Sequence, residues 1–269
     1  MTKIPDYYQI TESPGLRATQ EQIARLYQRY RFAKQFCEDK DVLEVACGSG
    51  IGLGYLAQVA HKVIGGDIDE KNITQARTYY NAKHKIKNGS KECALEIGVM
   101  DAHKLSFIDS SIDTVLLFEA IYYLNDPLKF ILEAERVLRE KGKLIMCSVN
   151  KDWKDFHPSP YTYKYFSVPE LYEILKDTFT HIEMYGGFPV NNNGIKNKLI
   201  SIVKRTAVHF NLIPQSLKTR AYLKRIFMGM LVPLSHEVYE DMALYETPIP
   251  TPYDRINKDF KIIYTVANK

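Results

Sequence analysis

The chain has 269 residues, 45% hydrophobic and 25% charged, with a net charge of +4. These proportions exclude a disordered or fibrous protein, and the length admits one large domain or one domain with an appendage. No run of about 18 apolar residues occurs, so no membrane-spanning helix is expected, and the scattered Cys37, Cys47, Cys93 and Cys147 offer neither zinc-ligand spacing nor a disulfide framework.

The opening MTKIPDYYQI lacks the basic and apolar regions of an export signal, which makes a cytoplasmic location the expectation. Within residues 1–40, the turn-like SPG precedes ATQEQIARLYQRYRFAKQF, whose Ile23, Leu26, Tyr27 and Tyr30 share a helical face. This segment is expected to be an N-terminal cap closing over a site.

From residue 41 to residue 187, short apolar runs alternate with amphipathic stretches. The runs predict strands at 42–46, 62–67, 94–99, 112–118, 143–149 and 181–187, and a seventh at 261–266. Helices are expected at 52–60, 70–84, 127–140 and 169–178, with Pro127 and Pro169 at starts and Gly142 just past an end. The pattern predicts an α/β fold: a Rossmann-like, seven-stranded, mostly parallel sheet with helices on both faces, formed by residues 41–187 and 260–269. Residues 188–259 are expected to form a basic, mainly helical insertion before the last strand. Between Met184 and His236 there is no Asp or Glu, but eight basic residues: Lys196, Lys198, Lys204, Arg205, Lys218, Arg220, Lys224 and Arg225.

The chemistry concentrates in VLEVACGSGIGLGYLA, a strand running through a glycine-rich turn into a helix. Gly48 and Gly50 leave room for a ligand to approach the backbone. Asp67 ends the second strand, where a carboxylate can accept from both hydroxyls of a ribose, and Asp101 and Ala102 follow the third. All three segments are expected at the carboxyl edge of the sheet, where open α/β sheets bind ligands. Gly48, Gly50 and Gly54 also give a GxGxxxG spacing that a dinucleotide site can use, but Glu44 before the turn suits an ammonium better than a pyrophosphate.

On these residues the sequence resembles the class I S-adenosylmethionine-dependent methyltransferases. Their acidic-x-Gly-x-Gly-x-Gly motif is matched by Glu44, Ala46, Gly48 and Gly50, with Ala46 in place of the first glycine. The likeness extends through LSFIDSSID, the NDP at 125–127 and AERVLREKGKL. It implies S-adenosylmethionine as cofactor. The turn from Cys47 to Gly50 would hold the methionyl group, Glu44 would face its ammonium, Asp67 the ribose, Ile68 the adenine face, and Asp101 and Ala102 the adenine edge. Tyr30 and Phe118 complete the expected cofactor set, and no metal is expected.

Methyl transfer needs alignment above all, and a base only for a poorly ionised acceptor. Glu119, Tyr122 and His157 are the candidates for orienting the acceptor or taking a proton; His103 reads as structural. ITESPGLRATQEQIARLYQRYRFA, FHPSPYTYKYFS and LKRIFMGMLVPL look like a subgroup of bacterial methyltransferases that accompany surface-polysaccharide (capsule or O-antigen) synthesis. The implied reaction is O-methylation of a sugar, nucleotide sugar or phosphorylated precursor. The basic segment suggests an anionic acceptor or surface, and with this reaction the expected partner is an anionic or sugar-containing small molecule and not nucleic acid, with peripheral membrane contact through the basic insertion left open. A cofactor-binding protein without transferase activity and a dinucleotide-dependent enzyme are the alternatives.

Overall fold

The computed structural model describes residues 11–82, 87–88, 91–190 and 231–269. Helix α1 (Gln20–Lys34) begins at a reciprocal cap: the Thr19 hydroxyl accepts from the Gln22 N–H while the Gln22 side chain accepts from the Thr19 N–H. Strand β1 (Asp41–Val45), helix α2 (Leu53–Ala57), β2 (Lys62–Asp67), α3 (Glu70–Ala82) and β3 (Ala94–Val99) follow in alternation. β4 (Ile112–Phe118) leads to α4 (Pro127–Val137), β5 (Leu138–Val149), α5 (Val168–Leu175) and β6 (His181–Pro189). The two-residue β7 (Ile249–Pro250) and the final β8 (Phe260–Asn268) complete the sheet.

The sheet order is β7-β6-β8-β5-β4-β1-β2-β3. β1 to β5 are parallel neighbours, and β8 lies antiparallel between β5 and β6. This is the Rossmann-like arrangement expected, with eight strands rather than seven. The extra one, β7, comes from the TPIPTP run and pairs with Gly186 and Tyr185 at the sheet edge, the place where proline is tolerated. The order turns back between β1 and β4, so their carboxyl ends diverge and open a crevice.

Two apolar layers hold the sheet. Val42, Leu116 and Ile145 join Leu26, Tyr27, Leu53 and Tyr264 on one face; Leu43, Leu117 and Leu144 join Phe130, Ile131 and Leu171 on the other. Successive side chains of one strand point to opposite faces, so strands buried on both sides read as continuous apolar runs.

The expected helix 127–140 stops at Val137. Ser110 and Ser111 donate backbone N–H groups to the carbonyls of Arg136 and Val137, and Leu138 pairs with Ile112, so β4 captures the chain before the helix can continue. β5 therefore starts five residues before the predicted 143 and carries a register shift, with Lys141 at φ +65°. A Cβ on Gly142 would lie 2.7 Å from the Arg139 carbonyl and 3.1 Å from that of Asp113, which is why this position needs glycine. The predicted helices at 52–60 and 169–178 are likewise shorter, at Leu53–Ala57 and Val168–Leu175.

Of the basic insertion, residues 191–230 lie outside the described residues, and with them the helical character expected there. The described tail from 231 folds back on the cap. Val232–Pro233 pairs with Arg17–Ala18, and the Glu240 carboxylate accepts from the Tyr27 and Tyr55 hydroxyls, each at 2.8 Å, and pairs with Lys34 at 3.0 Å. Among the described residues no helix is long and apolar enough to cross a membrane.

Candidate functional site

A cavity of about 570 Å³ opens at the carboxyl ends of β1, β2 and β4, with α1 as its opposite wall. Every candidate residue from the sequence lines it except Gly50 and His157.

The turn after β1 is shaped by positive backbone angles: Ala46 has φ +56°, Gly48 +58° and Gly50 +75°. Ala46 thus adopts the left-handed conformation where the motif has glycine, at a cost of about 1 kcal/mol, and the turn survives. Gly48 donates its N–H to Asp67 Oδ2 at 2.9 Å, and a Cβ there would meet the Thr11 methyl at 2.6 Å. Gly50 serves packing instead. Its carbonyl accepts from the Tyr80 hydroxyl at 2.8 Å, and a Cβ would come within 3.1 Å of Leu53 and Ala76, so it lets α2 and α3 seat beneath the turn.

Glu44 lies fully inside. Its Oε1 accepts from the Tyr30 hydroxyl at 2.6 Å, while Oε2 is buried with no partner among the described residues. Burial pushes this carboxyl up to about 7, against the pull of the Tyr30 hydroxyl and the Arg29 guanidinium. Tyr30 also meets the Phe118 ring edge-on at 5.2 Å, so the cap helix and β4 clamp one side of the cavity.

Asp67 is held by three segments: besides Gly48, its Oδ1 accepts from the Asp69 N–H at 2.8 Å and the Asn72 amide at 3.4 Å. Burial raises its carboxyl, and these donors oppose the rise. Ile68 is 53% exposed although it lines the cavity, an apolar surface placed for a flat ligand to cover. Asp101 accepts from both the N–H and the ring Nδ1 of His103, at 2.9 and 2.8 Å; burial would raise this carboxyl, but the two donors and the nearby charges leave it below its ordinary value. Ala102 is buried beside it.

At the end of β4, Glu119 is strained at φ +52°. Its Oε2 accepts from the Tyr122 hydroxyl at 2.7 Å, and burial raises the carboxyl above its ordinary range against that hydrogen bond. His157 is exposed on the loop after β5 and does not line the cavity. Among the lining residues that the sequence did not place in the site are Glu12, Arg25 and Arg29, the two arginines resembling the solvated face of a helix; His103, read as structural, also lines the cavity, and its Nε2 is buried without a partner among the described residues.

Residues 43–146 match the family described as methyltransferase domain. Over this stretch the chain is similar to S-adenosylmethionine-dependent methyltransferases. A probable S-adenosylmethionine-dependent methyltransferase of Mycolicibacterium smegmatis is 29% identical over 174 residues, 63% of this chain and 63% of that protein. A ubiquinone biosynthesis O-methyltransferase of Cereibacter sphaeroides is 26% identical over 136 residues, 51% of this chain and 52% of that protein. The chain thus spans between about half and two thirds of the length of these curated relatives. In fold, the chain is similar to the crystal structure of a methyltransferase, described as a possible histamine N-methyltransferase, from Thermotoga maritima: TM-score 0.56 at 14% identity, covering 92% of each chain.

The likeness to S-adenosylmethionine-dependent methyltransferases implies S-adenosylmethionine as cofactor, and the cavity has the donor set to fit it. The unpartnered Glu44 Oε2 is an acceptor suited to an ammonium, the Asp67 carboxylate retains lone pairs for ribose hydroxyls, and Ile68 offers an uncovered apolar face. A pyrophosphate would instead face the carboxylates of Glu44 and Asp67, which repel it.

Proposed function

We propose that the chain transfers a methyl group from S-adenosylmethionine to an oxygen of a small-molecule acceptor. The observation that carries this reading is the buried, unpartnered carboxylate oxygen of Glu44 beside the left-handed turn at Ala46 and Gly48. When bound, the cofactor supplies a methyl group on a sulfonium, whose departure as a neutral thioether needs no acid. The remaining work falls to the protein. Glu44 and the turn fix the methionyl end, Asp67 fixes the ribose, and Tyr30 with Phe118 closes the cavity against water. Glu119, its carboxyl raised above the ordinary range by burial and oriented by Tyr122, accepts the proton of the attacking hydroxyl.

The acceptor we infer is a sugar, nucleotide sugar or phosphorylated precursor of a surface polysaccharide. Support comes from the likeness of the N-terminal, post-β5 and late segments to methyltransferases of that kind, and transfer to oxygen gains support from the O-methyltransferase relative. Incubating the purified chain with methyl-labelled cofactor and a panel of such precursors tests the reading; label appearing in RNA or protein instead would overturn it. Glu119→Gln is expected to lower turnover by roughly a hundredfold or more while cofactor affinity, measured by calorimetry, stays unchanged.

Cofactor affinity should also depend on pH through Glu44. An ammonium prefers the ionised carboxyl, so binding is expected to tighten roughly tenfold per pH unit as pH rises toward about 7, then level off. Glu44→Gln should flatten that dependence. Stability moves the other way: a carboxyl raised in the fold gives its full contribution below its ordinary value of 4.5 and loses it as pH rises through about 7. Thermal melts of the cofactor-free chain across this range check the sign.

A further inference from the structure

The cavity has walls of opposite charge. The sheet side carries Glu44, Asp67 and Asp101, whereas the cap side carries Arg25 and Arg29, one turn apart on α1 and therefore on one face of that helix. The Arg29 side chain retains 7% exposure; it pairs with Glu12 and lies 5.5 Å from the Tyr30 ring centre, but its Nε is buried without a partner among the described residues. Arg25 pairs with Glu21 at 2.5 Å, lies 5.6 Å from the Phe188 ring centre, and likewise has a buried Nε without a partner among the described residues.

Unmade hydrogen bonds of cations held inside a protein weaken a fold, and an apolar side chain would fill either position at less cost. Two guanidinium groups that share a cavity with a sulfonium also repel it unless an anion lies between them. Glu12 partly meets that need. Its backbone carbonyl accepts from the Ser49 hydroxyl at 3.3 Å, which ties it to the glycine turn, while its side chain is 37% exposed and can leave Arg29 for water. Glu119 faces the same two arginines, so this wall and the candidate base belong to one region.

We propose that Arg25 and Arg29 form an oxyanion subsite that holds a carboxylate or phosphate of the acceptor, with the Glu12 carboxylate standing in its place until the acceptor arrives. The proposal rests on the methyl-transfer reading above and adds the acceptor's charge and the residues that read it. Anchoring the oxyanion on α1 neutralises it, so that the acceptor's hydroxyl can approach Glu119 without two negative groups repelling each other.

The test is calorimetry on the full chain saturated with S-adenosylhomocysteine, using benzoate and phenyl phosphate as anionic probes and benzamide as their neutral counterpart. Both anions are expected to bind roughly tenfold or more tightly than benzamide, as one charge-assisted hydrogen bond would give. Arg25→Met and Arg29→Met should each remove most of that preference, and Glu12→Gln should strengthen it by freeing Arg29. Should Arg29→Met fail to fold, Arg25→Met, whose parent side chain is 24% exposed, carries the test. Equal binding of benzoate and benzamide while S-adenosylhomocysteine binds normally would overturn the subsite alone. So would a loss of S-adenosylhomocysteine affinity in Arg25→Met with unchanged affinity for 5′-methylthioadenosine, which lacks the amino-acid carboxylate; the arginines would then belong to the cofactor. A wild-type chain that does not bind S-adenosylhomocysteine would overturn the methyl-transfer reading and this assignment with it.

Discussion

Replacing Asp67 with alanine is expected to weaken cofactor binding by roughly a hundredfold or more, the loss expected when a carboxylate that accepts from two ribose hydroxyls is removed. The structure gives the change a second consequence. Asp67 Oδ2 also receives the Gly48 N–H at 2.9 Å, and Oδ1 receives the Asp69 N–H at 2.8 Å, so alanine leaves two backbone donors without acceptors and loosens the turn that should hold the methionyl end. Asp67→Asn keeps an acceptor oxygen without the charge and should fall between wild type and alanine. Calorimetry with S-adenosylhomocysteine reads all three proteins. Unchanged affinity in the alanine variant would remove Asp67 from the cofactor site.

The largest effect on stability is expected at Gly52, which precedes α2. Its backbone angles are ordinary, φ −100° and ψ −14°, so conformation is not the constraint. Space is: a Cβ there would lie 1.9 Å from Cε1 and 2.0 Å from Cζ of Tyr30. Tyr30 is 2% exposed, edge-on to Phe118 and hydrogen-bonded to Glu44, so its ring cannot yield without breaking that bond and stranding both oxygens of a buried carboxyl. Gly52→Ala should therefore cost about 3 kcal/mol and lower the melting temperature by roughly 6–12 °C. Gly54→Ala supplies the contrast. There a Cβ would meet Glu237 Oε1 at 1.7 Å, the far end of a flexible side chain, and the expected cost is about 1 kcal/mol. Equal melting shifts for the two variants would contradict this account of why Tyr30 sits where it does.

The candidate site was legible where its residues are local. Glu44, Ala46 and Gly48 are neighbours on one strand and turn, and Asp67 and Asp101 each end or follow a strand that sequence alone delimits. Arg25 and Arg29 were not legible because two arginines one turn apart on an amphipathic helix are ordinarily solvated; only the packing of α1 across the sheet edge turns them inward. The expectation of an anionic acceptor began from the basic residues between 188 and 259, whereas the described cations that face the cavity come from the cap. Gly50 stands apart from the other motif residues. It belongs to the ligand motif by spacing, yet its surroundings are Leu53, Ala76 and Tyr80 rather than the cavity.

The strands at Lys62–Asp67, Ala94–Val99 and Ile112–Phe118 follow to the residue from local pattern, and with them the α/β alternation and the glycine turn. Alternation and turn chemistry are properties of neighbouring residues, so local pattern suffices to fix them. Tertiary structure alone decided where α4 gives way to β5, that the edge strand Ile249–Pro250 forms, and which side of α1 faces the cavity. Each of these depends on a partner distant in the chain: Ile112 capturing Leu138, Gly186 receiving Ile249, and the β1–β4 crevice receiving the cap. Their free energy comes from contacts that no window of neighbouring residues contains.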